Sequence, residues 1–331
     1  MNRTEGIAVL LAAAAAIGLL WCAGCAGGDS GLSLDTVIGQ VNGGITGSTQ
    51  DIILYISVRT GTGEVWAVNA SGLEEPFRLT ASGAQAQTPA WSPDGRQFVF
   101  SLSYITTAPL YRVRVDNQTL TDSEGKAVYF REFDSSEGSN FSPSWSVNDR
   151  IAFHTDRDDG EFEIYTCDLN GNDLIRLTDN EWSDNSPRWS PDGTKIVFSS
   201  NRDDDTPDVY IMNEDGGNVR QITDSAEGWA SLAPEISPDG TQIVYVLQDP
   251  EGDRDIYVMD TNGGSQRRLT DDGWGHHHPT WSPDGTMIAY ERFAKEPVPD
   301  VWVMNADGTD KRQLTHHNDY EAQPAWSPMT L

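Results

Sequence analysis

Pro89-Ala90-Trp91-Ser92-Pro93-Asp94-Gly95 returns as Pro187-Arg188-Trp189-Ser190-Pro191-Asp192-Gly193 and again as Pro279-Thr280-Trp281-Ser282-Pro283-Asp284-Gly285. Pro234-Glu235-Ile236-Ser237-Pro238-Asp239-Gly240 is a fourth copy with Ile in place of Trp. Pro143-Ser144-Trp145-Ser146-Val147-Asn148-Asp149 is a degraded fifth, and Pro324-Ala325-Trp326-Ser327-Pro328 a sixth. The six leading prolines are separated by 54, 44, 47, 45 and 45 residues. A fixed period of this size marks a repeat architecture. The block itself reads as a turn: Pro sets φ at the first corner, Asp bonds locally, and Gly accepts positive φ at the exit. The Trp ahead of it is large enough to fill a wedge between neighbouring units.

Between blocks the same short runs recur. After the fourth block come residues 241–247, then Asp255-Ile256-Tyr257-Val258-Met259-Asp260, then Arg268-Leu269-Thr270. Glu64-Val65-Trp66-Ala67-Val68-Asn69, Glu163-Ile164-Tyr165-Thr166-Cys167-Asp168 and Asp300-Val301-Trp302-Val303-Met304-Asn305 match the second of these runs. Such Val-, Ile- and aromatic-rich runs, bounded by Gly and Asp, are strands. Four strands per period of about 45 residues make a propeller blade. The chain is therefore expected to be all-β, a six-bladed propeller of four-stranded antiparallel blades. The second unit lacks the Leu-Thr ending of the others, and residues 127–133 are expected to supply its fourth strand. Asp51-Ile52-Ile53-Leu54-Tyr55 enters at the second strand of a blade, whereas the last block has no second strand after it. The strand near residues 323–327 should then complete the first blade and close the ring, removing exposed edges.

This block, recurring six times between Asp51 and Pro328, resembles the TolB repeat, a WD40-like propeller repeat of bacterial envelopes. The resemblance implies a closed propeller acting in the envelope as a binding scaffold. More loosely, the repeat is similar to the propellers that cap prolyl-oligopeptidase-type peptidases. The family's namesake carries a sizeable α/β domain ahead of its propeller, whereas the residues ahead of Asp51 read here as a signal and a tether.

Arg3 precedes an uncharged apolar run, residues 7–21, of signal-peptide length and short for a membrane span. Ala23-Gly24-Cys25 resembles the end of a bacterial lipobox, although Cys22 stands where Leu is usual. Residues 1–24 are read as a signal peptide with Cys25 as the lipid acceptor, a cleaved signal or an uncleaved anchor being the alternatives. Residues 25–50, rich in Gly, Ser and Thr, read as a flexible tether, and residues 51–331 as the propeller. The expected product is an exported, monomeric cell-envelope lipoprotein that meets the membrane through its lipid anchor. After cleavage and lipidation at Cys25, Cys167 alone would remain as a free thiol, so no internal disulfide is expected. Twenty-two Lys plus Arg against fifty-one Asp plus Glu give a net charge of −29. That excludes sequence-independent nucleic-acid binding, which needs cations to replace counterions, and gives a self-repelling, soluble surface.

Catalytic constellations are missing: the sequence has no Gly-x-Ser-x-Gly elbow, no phosphate-cradling glycine loop and no His-Glu-x-x-His. Cys167 takes the slot of Met212, Met259 and Met304 and reads as buried core. The loops leading into the first strand of each blade are expected to converge on one mouth of the channel. Five residues before the motif proline stand Trp182, Trp229 and Trp274, an aromatic arc suited to a protein, peptide or glycan. Packing of each Trp on its own blade is the alternative. Three residues before the same proline stand Asn140, Asp184, Ser231, His276 and Glu321, with Ala86 breaking the pattern. They read as a polar channel entrance, or else as solvated loop positions.

Five of the six histidines fall in two consecutive loops: His276, His277, His278, His316 and His317. Imidazoles beside carboxylates suit Zn or Mn, so His276, His278, His316 and His317 are the candidate metal ligands. No cofactor is otherwise expected. The pattern is faintly similar to propeller lyases that use a histidine-bound metal on pectic fragments. The acidic connections around Asp156, Asp203 and Asp249 read as solvated turns. These readings favour a non-catalytic propeller that presents a channel-mouth surface to a protein, peptide or glycan. The alternatives are a metal-assisted lyase or hydrolase of acidic oligosaccharides and a structural subunit of an envelope complex.

Overall fold

A computed structural model describes residues 51–328, apart from residues 74, 81, 104–107, 115–137, 159, 204–205 and 294–297. The signal segment, Cys25, the tether and residues 127–133 lie outside the described residues. Every regular element among the described residues is a strand. Blade 1 contains β1 (Ile52–Ser57), β2 (Glu64–Asn69) and β3 (Phe77–Arg78); blade 2 contains β4 (Gln85–Trp91), β5 (Gln97–Ser103) and β6 (Leu110–Arg114). Blade 3 is β7 (Asn140–Trp145), β8 (Arg150–Thr155), β9 (Glu163–Asp168) and β10 (Ile175–Arg176). Blade 4 is β11 (Asp184–Trp189), β12 (Lys195–Ser200), β13 (Asp208–Asn213) and β14 (Arg220–Gln221). Blade 5 is β15 (Ala230–Ile236), β16 (Gln242–Gln248), β17 (Arg254–Asp260) and β18 (Arg267–Arg268). Blade 6 is β19 (His276–Trp281), β20 (Met287–Phe293), β21 (Pro299–Asn305) and β22 (Arg312–Gln313), and β23 (Glu321–Trp326) follows it.

β23 pairs antiparallel with β1, placing Ile53 against Trp326 and Ser57 against Glu321. Blade 1 thus has the order β23-β1-β2-β3 and the expected four strands. The Ser327 N–H donates to the Ile52 carbonyl at 2.8 Å, and the Ile52 N–H returns a bond to Ser327 Oγ at 3.2 Å. Blades 3 to 6 are four-stranded and antiparallel, and blade 2 shows three strands among the described residues. The molecule is a six-bladed all-β propeller closed by its C-terminal strand.

The core divides at the blade junctions. Six clusters of buried apolar residues each join two neighbours, and one of them joins blade 6 to blade 1. Each cluster contains one motif residue of the later blade: Trp91, Trp145, Trp189, Ile236, Trp281 or Trp326. The wedge role expected of the motif Trp is the one it plays.

Within each blade an aromatic residue of the second strand faces one of the third: Tyr55 and Trp66, Phe100 and Tyr111, Phe153 and Tyr165, Phe198 and Tyr210, Tyr245 and Tyr257, Tyr290 and Trp302. Cross-strand aromatic pairs of this kind contribute roughly 0.2–1 kcal/mol each over alanine. The turn behaves as its residues dictate. Ser190 Oγ donates to Asp192 Oδ1 at 2.6 Å, the Lys195 N–H donates to Ser190 Oγ at 2.9 Å, and Gly193 sits at φ 69°. In the degraded copy Asp149 takes the positive φ of 57° that Gly holds elsewhere, a conformation Asp tolerates better than most residues.

The outer strands are two residues long and stop before the Leu-Thr pairs, which had been expected to end them. The threonine hydroxyl takes over from the ladder. Thr223 Oγ1 accepts the Val209 N–H at 2.9 Å and donates to Asp208 Oδ1 at 2.6 Å, and Thr270 repeats both bonds with Ile256 and Asp255.

Candidate functional site

The innermost strand of every blade carries a bulge at the residue before the motif proline. Thr88, Ser142, Ser186, Ala233, His278 and Gln323 all have φ between 45° and 55°, and none is glycine. The register slips at the same place in each blade. Positive φ is rare for non-glycine residues, above all for a β-branched one such as Thr88, and bulges re-aim side chains. In four blades a side chain of the preceding blade takes up the bulge N–H. Gln323 Oε1 accepts from Thr88 at 2.7 Å, Thr88 Oγ1 from Ser142 at 3.2 Å, His154 Nδ1 from Ser186 at 3.2 Å, and Glu291 Oε1 from Gln323 at 2.6 Å. Neighbouring blades are therefore stitched together along the lumen.

Beyond the bulges the channel opens into a cavity of about 370 Å³ to which all six blades contribute. Its wall holds the five motif tryptophans and Ile236. Pro93, Val147, Pro191, Pro238, Pro283 and Pro328, at one equivalent position each, ring its opening. The variable residue of the Pro-x-Trp motif also lines it. That residue is small in four blades (Ala90, Ser144, Thr280, Ala325) and charged in two neighbours, Arg188 and Glu235. Arg188 Nε lies 3.8 Å from Glu235 Oε2, with side-chain exposures of 27% and 21% because both face the lumen. Burial pulls the Arg188 pKa down and pushes Glu235 up, each partly offset by the other's charge. Glu235 Oε1 accepts the Trp281 N–H at 2.9 Å and the Thr280 hydroxyl at 3.1 Å. Sequence reasoning passed over this pair, although the signal existed: two charges at a position that is small in every other copy.

The sequence-derived candidates lie at the other end of the innermost strands, the polar residues at the first or second position of each and the three tryptophans just ahead of it. Asn140, Asp184, Ser231, His276 and Glu321 are buried, at 1% exposure or less, rather than open at an entrance. They bond inward. Arg202 Nη2 donates to both oxygens of Asp184 at 2.8 Å, Arg157 Nη2 donates to Asn140 Oδ1 at 2.9 Å, and Arg59 pairs with Glu321. Each arginine stacks on the aromatic pair of its blade; the Arg202 guanidinium lies 5.2 Å from the Phe198 ring and 5.0 Å from that of Tyr210. Trp182 is exposed, Trp229 and Trp274 are half-buried, and Arg292 lies over the Trp274 ring at 5.8 Å.

The structure does not gather the four candidate metal ligands. His276 is fully buried, with Nδ1 3.2 Å from the Arg254 carbonyl and Nε2 3.2 Å from Asp272 Oδ1. His316 is exposed, and His317 Nδ1 meets Asp319 at 2.7 Å. His278 instead bonds Glu291 Oε1 through Nδ1 at 2.5 Å beside His277. Glu291 carries no signal of its own in the sequence, because it sits within the strand run Met287–Phe293.

Two histidines are held neutral. Burial, with help from Arg188, lowers the His154 pKa from 6.5 to about 3, and burial lowers His277 to about 3 against the pull of Glu291. A folded-state pKa below the unfolded one gives stability that is complete above pH 6.5 and drains away as pH falls toward 3. The slope approaches about 1.4 kcal/mol per pH unit for each such group. His154→Asn should therefore lose less stability than wild type between pH 7 and pH 5, measured as the shift in urea midpoint.

These features define a closed β-propeller whose chemistry-bearing side chains gather on the wall of its channel. The chain belongs to the TolB β-propeller family: the family described as TolB beta propeller domain (PD40) matches residues 127–330. An uncharacterized protein of Agrobacterium fabrum is 28% identical over 184 residues, which cover 55% of this chain and 59% of the relative. A protein TolB homolog of Chlorobium luteolum is 30% identical over 146 residues, 44% of this chain and 30% of the relative. The matches thus span three tenths to three fifths of the relatives' lengths. In fold, the crystal structure of TolB from Acinetobacter baumannii is similar with a TM-score of 0.68 and 23% identity, covering 85% of this chain and 68% of that one.

Proposed function

We propose that this chain is an exported, non-catalytic propeller of the bacterial cell envelope that captures a peptide segment of a partner protein. The segment enters the cavity at the Trp-Ser-Pro end of the channel. The observation that carries this reading is the make-up of that cavity: a tryptophan wall, a proline rim and the spaced Arg188–Glu235 pair. Rigid aromatic surface supplies contact area at little cost in entropy. A guanidinium and a carboxylate 3.8 Å apart keep donors and an acceptor in reserve for main-chain groups. Family membership and the apolar run at residues 7–21 support export, and Cys25 is the proposed lipid anchor. The protein is proposed to act as a monomer. The alternative reading places the surface, for a protein or glycan, on the arc of Trp182, Trp229 and Trp274 at the opposite end, where the Trp182 ring is exposed.

The test is affinity capture of tagged protein from solubilised envelopes, with bound partners quantified by mass spectrometry. Arg188→Ala combined with Glu235→Gln should cut capture about tenfold or more, the equivalent of about 1.4 kcal/mol. Trp182→Ala, Trp229→Ala and Trp274→Ala together should leave it unchanged. The reverse pattern would move the binding surface to the other mouth. Full capture by both sets of variants would remove the peptide reading and leave a structural role in an envelope complex.

A further inference from the structure

The six blades act as controls for one another. In each, a residue of the innermost strand lies directly opposite a residue of the second strand, and the bulge residue follows it. Blade 6 fills these three places with His277, Glu291 and His278. The other five blades use Ala, Leu, Ile, Val, Phe, Asn, Gln, Ser and Thr there, with His154 as their one potential ligand. The scaffold thus has no need of two imidazoles and a carboxylate at this spot.

Consecutive residues of a regular strand point to opposite faces. The bulge, with His278 at φ 45°, turns that ring back toward its neighbour, so the two imidazole centroids lie 6.2 Å apart. One ligand atom from each of His277, His278 and Glu291 falls within 4.8 Å of the others. Two imidazole nitrogens and a carboxylate oxygen are a donor set that suits zinc-type ions rather than calcium or magnesium. Ligands held 2.0–2.1 Å from a tetrahedral ion stand about 3.3 Å apart, a contraction that modest side-chain rotation supplies. His278 lines the cavity, so an ion has access from the lumen and a fourth coordination position can face a molecule held there.

We infer that His277, His278 and Glu291 form a binding site for a divalent transition metal of the zinc type on the channel wall. Arg254 opposes occupation. Its Nη1 lies 3.1 and 3.3 Å from the two ring nitrogens of His277, and an incoming ion must displace that guanidinium. Gln248, which holds Arg254 Nε at 2.6 Å, offers an acceptor on which it can remain.

The probe is zinc chloride, titrated into the purified full-length protein after chelator treatment and read by competition with a chromophoric chelator. One equivalent should bind per chain. His278→Ala and Glu291→Gln should each weaken binding at least about tenfold, since even residues that only hold a ligand in place are worth roughly 10–100-fold. Arg254→Met should tighten it, and His317→Ala should leave it unchanged. Absence of stoichiometric binding, equal affinity in His278→Ala and Glu291→Gln, or loss in His317→Ala would each overturn the assignment. If one channel variant fails to fold, the other decides, together with the visible spectrum of the cobalt(II)-loaded wild type. Three protein ligands give strong d–d bands that the surviving variant lacks, and an identical spectrum refutes the site. The inference is independent of partner capture, because zinc affinity is read without any partner.

Discussion

A chain ending at residue 320 should lose the single cooperative unfolding transition of the full-length protein. β23 supplies the innermost strand of blade 1, so its removal uncovers the ladder edge of β1 and the buried residues Ile53, Leu54 and Ile56. It also withdraws Trp326 from the cluster that joins blade 6 to blade 1. Loss of one large core aromatic alone costs about 3–5 kcal/mol, and a whole domain is stable by only about 5–15 kcal/mol. The truncated chain should therefore populate an open, aggregation-prone array with an unpaired edge. Urea unfolding followed by tryptophan fluorescence and by far-UV circular dichroism checks this. Coincident, sharp transitions at the wild-type midpoint would show that the ring holds without its closing strand. A synthetic peptide of residues 319–331, added in trans, should restore part of the lost stability.

The second large effect is expected from Arg202→Met. Asp184 is fully buried and receives Arg202 Nη2 on both oxygens and Asn180 Nδ2 on one, at 2.8 Å each. Taking away the guanidinium strands a carboxylate inside the protein, and breaking a buried pair in this way costs about 3–5 kcal/mol. The stacking of Arg202 on Phe198 and Tyr210 is lost as well. Asp184→Asn combined with Arg202→Met should recover most of the loss, because neither charge is then buried alone. The four urea midpoints form a double-mutant cycle. A single variant within about 1 kcal/mol of wild type would mean that water reaches Asp184 and the pair is worth little.

Much of the fold was legible because the repeat states its own chemistry. Ser-Pro-Asp-Gly specifies a turn through φ preferences, and a Trp at a fixed distance from it specifies a wedge; both arguments need only local residues. Closure was legible because the first and last fragments of the repeat complement each other. The sites were less so. A period can show that Asn140, Asp184 and Glu321 are equivalent, but not whether that position faces solvent or turns inward to an arginine two residues beyond the second strand. The residue six after Ile53, Ile151 and Ile196 is that arginine (Arg59, Arg157 and Arg202), yet the innermost-strand residue it meets within its blade is invisible until the register is known. The histidines were misgrouped for a related reason. His276, His277 and His278 are adjacent in sequence, but alternation sends His276 inward to Asp272. The bulge at His278 brings that ring around to Glu291, and no propensity scale encodes such a reversal.

Because the turn, the aromatic pair, the motif wedge and the threonine clasp recur in nearly every blade, the architecture does not depend on any one residue at the variable position of the Pro-x-Trp motif. Six such seats stand around one axis, and between them they hold two charges, two hydroxyls and two methyl groups. A single codon change at any of them can re-address the pore toward a different cargo while folding continues as before. Diversity of recognition can therefore accumulate one seat at a time.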